Sequence, residues 1–192
     1  MLNSAALLIV DVQQGLDAPI HGQRSTPDAE QQMVRLLAAW RTRGSLIAHV
    51  QHASTSPDSL LRPDQPGHAL KPEVQPLSSE PVFVKNVNSA FIGTDLEAYL
   101  HEHRIRAVVV MGMTTDHCVS STARTASDLG FKTYVVADAT AAFERIDHTG
   151  RHFTAEMIQA VSLLNLHDEV AQIMTTDEIL SALSAHDAGS AM

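Results

Sequence analysis

The sequence is poor in the features that mark several protein classes. A single cysteine, Cys118, occurs among 192 residues, so no disulfide can form within the chain and a cysteine-rich zinc site is excluded. No stretch approaches the roughly 20 apolar residues that span a bilayer. The first apolar run ends at Asp11 without a preceding basic segment, which argues against a secretory signal. We therefore expect a cytoplasmic protein with no membrane partner.

Basic residues are also scarce, because 13 lysines and arginines stand against 22 acidic residues and give a formal net charge of -9. This charge repels phosphate backbones, so nucleic acid is not expected as a partner. Hydrophobic residues make up 44% of the chain and charged residues 18%, which suffices for a buried core at this length. We expect residues 1–192 to form one domain.

Short apolar runs alternate with helical patterns along the chain. We expect strands at residues 5–10, 46–50, 82–84, 107–111, 133–137 and 170–175, with the first helix beginning at Pro27. Runs this apolar are typical of parallel strands buried on both faces. Capping boxes at residues 94–97 and 175–178 mark two further helix starts. The alternation predicts an α/β fold with helices on both faces of a parallel sheet.

Residues 53–81 interrupt this alternation. The segment holds six of the eight prolines and shows no clear periodicity. Irregular segments of this length are either functional lids and binding loops or packed excursions of the chain. The sequence leaves both interpretations open.

Polar residues at strand ends are the first candidates for chemistry, because ligands bind beyond the carboxyl ends of parallel strands. Asp11, Lys85 and Asp138 directly follow apolar runs, and Cys118 lies in the turn after the fourth run. We interpret Asp138 as structural. Backbone N–H groups in such a turn are expected to lower the pKa of Cys118 toward the reactive thiolate. An inert core thiol is the alternative, but a thiol, a base and a cation at strand ends together fit covalent catalysis.

Three segments, residues 8–13, 84–96 and 112–119, resemble the isochorismatase-like cysteine hydrolases in order and spacing. The resemblance implies a three-layer α/β/α sandwich with a six-stranded parallel, Rossmann-like sheet. It also implies a catalytic triad of Asp11, Lys85 and Cys118, and a homo-oligomer. Isochorismatase proper is similar in fold but lacks this cysteine, so Cys118 indicates the amidase-like branch.

The resemblance implies a mechanism for a small-molecule amide, carbamoyl compound or ureide. Asp11 takes the thiol proton as Cys118 attacks the carbon, and water then hydrolyses the thioester. The family pattern places the oxyanion hole at the backbone N–H groups of Thr114 and Cys118, with a cis peptide bond between Met113 and Thr114. Candidate substrate contacts flank the triad positions: Gln13, Leu16, His52, Phe91 and His117.

The resemblance raises the possibility of a metal site. Nicotinamidases of this family bind a metal through an Asp-x-His pair and another histidine. Gln51 precedes His52 here, so that pair is absent, and His49 and His52 should point to opposite faces of a strand. We expect no metal and no cofactor. Residues 115–119 still resemble nicotinamidases, so that activity is an alternative. A redox-sensing thiol protein and a non-catalytic binding module are alternatives from other classes.

Overall fold

The structure is a computed structural model that describes residues 2–190. Met1, Ala191 and Met192, which the one-domain expectation includes, lie outside the described residues. The strands within this range are β1 (Ala6–Val10), β2 (Ile47–His52), β3 (Val82–Lys85), β4 (Ala107–Met113), β5 (Lys132–Ala141), β6 (Arg145–Ile146), β7 (His152–Phe153) and β8 (Gln172–Met174). The helices are α1 (Ala29–Thr42), α2 (Leu96–Glu102), α3 (Ser120–Asp128), α4 (Ala155–Leu164) and α5 (Thr176–Ser190). No helix in this range is long and apolar enough to cross a membrane.

Six strands form one parallel sheet in the order β3-β2-β1-β4-β5-β8. The chain starts near the centre with β1, adds β2 and β3 on one side, and then adds β4, β5 and β8 on the other. The strand order therefore reverses between β1 and β4. The crevice beyond the carboxyl ends of these two strands is where ligands bind in open α/β sheets.

Alternate residues of the central strand supply the cores on the two faces of the sheet. Leu7 and Ile9 pack with buried residues of α1 and α5. Leu8 and Val10 pack with buried residues of α2 and α3. Because successive side chains of a strand point to opposite faces, a strand this apolar requires helices on both sides. The expected α/β/α sandwich with a six-stranded parallel sheet is confirmed.

Several element boundaries differ from the sequence-based expectations. The first helix begins at Ala29, two residues after Pro27. β5 continues to Ala141, because its last residues pair with β4 again after a register shift that follows Val110. A small antiparallel pair, β6 and β7, was not predicted. β3 lies at the sheet edge, so Val84 is exposed although the apolar run suggested burial on both faces.

The two predicted capping boxes have different outcomes. At α5, the Glu178 carboxylate accepts from the Thr175 N–H at 2.7 Å, and the Thr175 hydroxyl accepts from the Glu178 N–H at 3.3 Å, so this capping box is confirmed. At α2, the Thr94 hydroxyl accepts from the Leu96 N–H, and the helix begins only at Leu96. The capping box predicted at residues 94–97, with reciprocal hydrogen bonds between Thr94 and Glu97, is therefore wrong.

The proline-rich segment 53–81 is held against the body of the protein. The Lys71 side chain is buried, and its ammonium pairs with the carboxylates of Asp17 and, at 2.6 Å, Glu30. A Cβ added to Gly67 would lie 2.7 Å from the Gly15 Cα, so the backbone of the segment runs directly over the turn after β1. The segment is therefore packed against the body of the protein, and its residues Ser59 and Leu61 also line a cavity beyond the carboxyl ends of β1 and β4.

Candidate active site

A cavity of about 570 Å³ opens beyond the carboxyl ends of β1 and β4. Its walls come from the turn after β1, the end of β2, the segment 53–81, the loop after β3, the turn after β4 and the chain from the end of β5 through β6. The lining residues are Asp11, Leu16, Ile20, His21, His52, Ser59, Leu61, Asn88, Met113, Thr114, His117, Cys118, Phe143, Glu144, Arg145 and Ile146. The cavity thus lies where the topology predicts a ligand site.

Asp11 occupies an unusual backbone conformation directly after β1. Its φ is 52°, in the left-handed region that residues other than glycine rarely adopt. The backbone N–H still donates to the Val50 carbonyl at 3.0 Å, while the side chain turns toward the cavity and stays 2% exposed. Backbone outliers of this kind concentrate at functional sites. The carboxylate oxygen Oδ1 is buried and accepts no hydrogen bond from the residues described.

Gly112 permits the close approach of β4 to β1 beside Asp11. A Cβ at this position would lie 2.0 Å from the Val10 carbonyl oxygen, and its φ of 126° is one that other residues rarely adopt. Any side chain at residue 112 would therefore push the two strands apart. The glycine keeps the end of β1, and with it Asp11, against the strand that leads to Cys118.

Lys85 ends β3 with its side chain completely shielded from water. Its Nζ lies 2.5 Å from Asp11 Oδ2, 3.1 Å from His52 Nδ1 and 3.4 Å from Cys118 Sγ. A lysine ammonium has three N–H donors, and the three contacts use all of them. The ammonium therefore links the ends of β1, β2 and β3 to the turn that carries the thiol.

Cys118 lies in a five-residue π-helical turn, Thr115–Val119, between β4 and α3. Turns of this type are frequent at functional sites. The peptide bond between Met113 and Thr114 is cis, at the position that the resemblance implied. The Thr114 carbonyl accepts from the N–H groups of His117 and Val119, both at 3.1 Å. Thr114 and Cys118, the two expected oxyanion-hole residues, both border the cavity.

The pKa of the Cys118 thiol is raised, contrary to the expectation of a lowered pKa. Burial and the negative charge of Asp11 raise its pKa to about 12, and they outweigh the opposing effect of Lys85. Burial also raises the pKa of Asp11 above that of an ordinary carboxyl, against the effect of Lys85. A position before a helix favours the thiolate, but the burial of the turn and the carboxylate beside it have the larger effect on this pKa. A thiol in this state needs a nearby base, and a basic Asp11 suits that need.

The five predicted substrate contacts divide into two groups. Leu16, His52 and His117 border the cavity, whereas Gln13 and Phe91 do not. Gln13 is fully buried, and its side-chain amide accepts from the His52 N–H at 2.9 Å and donates to the His52 carbonyl at 3.1 Å. Phe91 packs in the core against the Phe131 ring, with 6.0 Å between the ring centroids.

The two histidines of β2 have separate surroundings. His49 Nε2 lies 2.9 Å from Glu80 Oε2, in a buried position away from the cavity. His52 faces the cavity, and burial together with the Lys85 charge lowers its pKa to about 4. His52 is therefore neutral near pH 7, with Nδ1 accepting from the Lys85 ammonium. The two rings could not share one ion. The donor atoms near His52 that could hold a metal belong instead to Asp11 and Cys118.

The chain after β5 contributes cavity residues that sequence analysis missed. Glu144 and Arg145 both border the cavity, and the Arg145 guanidinium donates to Asp116 Oδ2 at 3.0 Å. The strand-end rule would have found them if the end of β5 had been placed at Ala141. Asp138, which we interpreted as structural, accepts from the N–H and hydroxyl groups of Thr176 at 2.8 and 2.9 Å and so caps α5.

Comparisons with known proteins identify the family. A model of the Isochorismatase domain matches residues 5–178. The uncharacterized isochorismatase family protein YrdC of Bacillus subtilis is 43% identical over 181 residues, which cover 94% of this chain and 97% of that protein. A solved structure of an isochorismatase-family protein from Chromobacterium violaceum is 43% identical, covers 95% of each chain and has a TM-score of 0.91.

More distant relatives include proteins of named activity. Streptothricin hydrolase of Streptomyces noursei is 35% identical over 72% of this chain and half of its own length. Maleamate amidohydrolase of Pseudomonas putida is 30% identical over 69% of this chain and 70% of its own length, and nicotinamidase of Acinetobacter baylyi is 26% identical over 85% and 95%. The matched domain, the parallel sheet and the similarity to YrdC agree, and the chain belongs to the isochorismatase family of hydrolases.

Proposed function

We propose that the protein is a cysteine hydrolase that cleaves a C–N bond in a small amide, carbamoyl compound or ureide. One observation carries this proposal: the Lys85 ammonium contacts both Asp11, at 2.5 Å, and Cys118, at 3.4 Å, at a cavity of small-molecule size. A nucleophile, a base and a cation that orients both are the parts that covalent amide hydrolysis needs.

The proposed reaction starts with the protonated thiol. Asp11 accepts the Cys118 proton as Sγ attacks the carbonyl carbon, so the S–C bond forms while the C–O double bond becomes an oxyanion. The backbone N–H groups of Thr114 and Cys118 stabilise this oxyanion. The C–N bond then breaks, and the proton held by Asp11 leaves with the amine or ammonia.

Hydrolysis of the thioester completes the cycle. A water molecule gives a proton to Asp11 and attacks the same carbon, the S–C bond breaks, and the proton returns to Cys118. Lys85 keeps its proton throughout and lowers the energy of whichever neighbour carries negative charge. The raised pKa of Asp11 suits both transfers, because a base that is too weak would not take a thiol proton.

The relatives of named activity support amide chemistry. Streptothricin hydrolase, maleamate amidohydrolase and nicotinamidase align over most of this chain, from 69% to 85% of it. The state of the thiol opposes the redox-sensing alternative, because sensor cysteines react as low-pKa thiolates, whereas the pKa of Cys118 is raised.

The cavity walls indicate a substrate with an apolar body and a polar end. Leu16, Met113 and Phe143 give apolar surface, and His117 and Arg145 give polar groups. A volume of about 570 Å³ lies within the usual range for small-molecule sites. We propose a substrate of the size of an aromatic or short aliphatic amide.

An ammonia-release assay tests the proposal. Primary amides, carbamoyl compounds, ureides, nicotinamide and maleamate would be incubated with the wild type and with Cys118→Ala. We expect ammonia from at least one class with the wild type and none above the uncatalysed rate with Cys118→Ala. Ser184→Ala, at an exposed position of α5, is the matched control and should behave as the wild type. Equal release by Cys118→Ala would refute the proposal.

We also propose that the chain forms a homo-oligomer. Met157, Val161 and Leu164 are spaced along one face of α4 and are 46%, 55% and 70% exposed. Exposed apolar surface of this kind is typical of protein interfaces. Light scattering should give a multiple of 20.8 kDa, and a mass of one chain would contradict the proposal.

A further inference from the structure

Three donor atoms of different chemistry converge at the cavity. One carboxylate oxygen of Asp11, one ring nitrogen of His52 and Sγ of Cys118 all lie within 4.8 Å of one another. Each of the three residues borders the cavity.

This donor set suits a thiophilic divalent cation. Zinc binds cysteine sulfur at about 2.3 Å, histidine nitrogen at about 2.0 Å and carboxylate oxygen at about 2.0 Å. In tetrahedral geometry, such ligands lie about 3.3 to 3.5 Å apart. Side-chain adjustments of about 1 Å would therefore bring the three donors around one ion, with water in the fourth position.

A positively charged group of the protein itself, the Lys85 ammonium, already lies among these three donors. The Lys85 ammonium contacts Asp11, His52 and Cys118 at 2.5, 3.1 and 3.4 Å, and the lysine side chain is shielded from water. A divalent ion among the same donors would face the ammonium at close range, where charge repulsion is weakly screened.

We infer that Asp11, His52 and Cys118 form a latent site for one thiophilic divalent cation, and that Lys85 excludes the metal by occupying it. The Lys85 side chain then has a second role, because it keeps the thiol free of zinc and other soft metals. The inference concerns the residues of the proposed hydrolase site but does not depend on turnover, since metal binding is measured without substrate.

Removing the lysine charge should create the metal site. We expect Lys85→Ala to bind one Co²⁺ per chain with a thiolate-to-cobalt absorption band, and to bind Zn²⁺ about 100-fold or more tightly than the wild type does, since a metal in the wild type must break a buried ion pair. Lys132→Ala removes an exposed lysine at the start of β5 and should bind metal as weakly as the wild type.

Two double variants identify the ligands. Lys85→Ala with Cys118→Ser should lose the thiolate band, and Lys85→Ala with His52→Ala should lose most of the gain in Zn²⁺ affinity. Lys85→Gln, which keeps a donor for Asp11 without the charge, repeats the measurement if thermal unfolding shows that Lys85→Ala does not fold.

Three results would overturn the inference. The first is Zn²⁺ affinity in the folded lysine variants no higher than in the wild type. The second is stoichiometric metal binding by the wild type with the same thiolate band. The third is a gain in affinity that survives both double variants. Loss of ammonia release alone bears only on the proposed function, so the two proposals fail by different observations.

Discussion

The Lys85 ammonium lies 2.5 Å from the Asp11 carboxylate, and neither side chain is more than 2% exposed. The two residues are 74 positions apart in the chain and end strands that are separated in the sheet by β2. Their contact therefore crosses the end of β2 and joins three strands at the edge where the cavity opens. Each charge depends on the other, because a buried charge without a partner is costly.

Breaking this ion pair should destabilise the fold. Lys85→Met leaves the Asp11 carboxylate buried without its cation, and we expect a loss of about 3 to 5 kcal/mol in the free energy of unfolding. The double variant Asp11→Asn with Lys85→Met removes both charges and should lose less. Urea denaturation at pH 7 measures both values, and a double variant less stable than Lys85→Met would contradict this account of the pair.

Asp11→Asn should separate thiol reactivity from turnover. The negative charge of Asp11 is the second cause of the raised Cys118 pKa, after burial. Removing it should shift the pH midpoint of iodoacetamide alkylation below that of the wild type, while ammonia release falls about 100-fold or more because the base is lost. Asp128→Asn, at an exposed position, should change neither value. An unchanged or higher alkylation midpoint in Asp11→Asn would show that the carboxylate does not act on the thiol.

Gly112→Ala should displace β1 from β4. The new Cβ would lie 2.0 Å from the Val10 carbonyl oxygen, whereas a Cβ at Gly130 meets nothing within 4 Å. Both glycines have positive φ, at 126° and 85°, so Gly130→Ala controls for the backbone preference, which costs about 1 to 2 kcal/mol. We expect a larger loss of stability for Gly112→Ala in thermal unfolding. Equal losses would mean that the close approach at residue 112 is unimportant.

Glu30 should make a pH-dependent contribution to stability. Burial alone would raise its pKa, but hydrogen bonds from Arg24 and Lys71 hold the pKa at about 2, below the ordinary 4.5. The folded state therefore favours the charged form, so this stability is present above pH 4.5 and is lost as the pH falls toward 2.

The comparison of Glu30→Gln with the wild type measures this contribution. The shift corresponds to about 3 kcal/mol, and solvent screening around this partly exposed group reduces it to about 1 to 2 kcal/mol. Urea denaturation should show the variant less stable by this amount at pH 7, with the difference shrinking as the pH approaches 2. A difference that is constant with pH would exclude the charge as its cause. Gln32→Ala, on the same helix, is the control: it removes an uncharged hydrogen-bond partner of Arg35, so any loss of stability should not depend on pH in this way.

The sequence was sufficient to predict that Asp11, Lys85 and Cys118 lie together, because the rule behind this prediction is topological. Parallel strands end at one edge, so the polar residues after apolar runs, Asp11 and Lys85, had to meet near the turn that carries Cys118. The same rule missed Glu144 and Arg145, since β5 runs to Ala141 through a register shift that no local pattern records.

The electrostatics of the site were not accessible from sequence. The expected low pKa of Cys118 rested on its place before α3, whereas burial and the Asp11 charge determine the outcome. The position of His52 against the Lys85 ammonium, at 3.1 Å, and the positive φ of Asp11 depend on the packing of β1, β2 and β3 together. The pKa values and side-chain contacts of the site arise from tertiary packing, so they cannot be predicted from strand periodicity.

The most direct test of the central claim is intact-mass spectrometry of the protein after rapid mixing with an amide that releases ammonia in the assay, or with the corresponding activated ester. Because Cys118 is the only cysteine, a thioester can form at one position. The account predicts a transient mass increase equal to the acyl group, mapped to Cys118 and absent from Cys118→Ala. Substrate turnover without any acyl adduct, or an adduct that persists in Cys118→Ala, would contradict it.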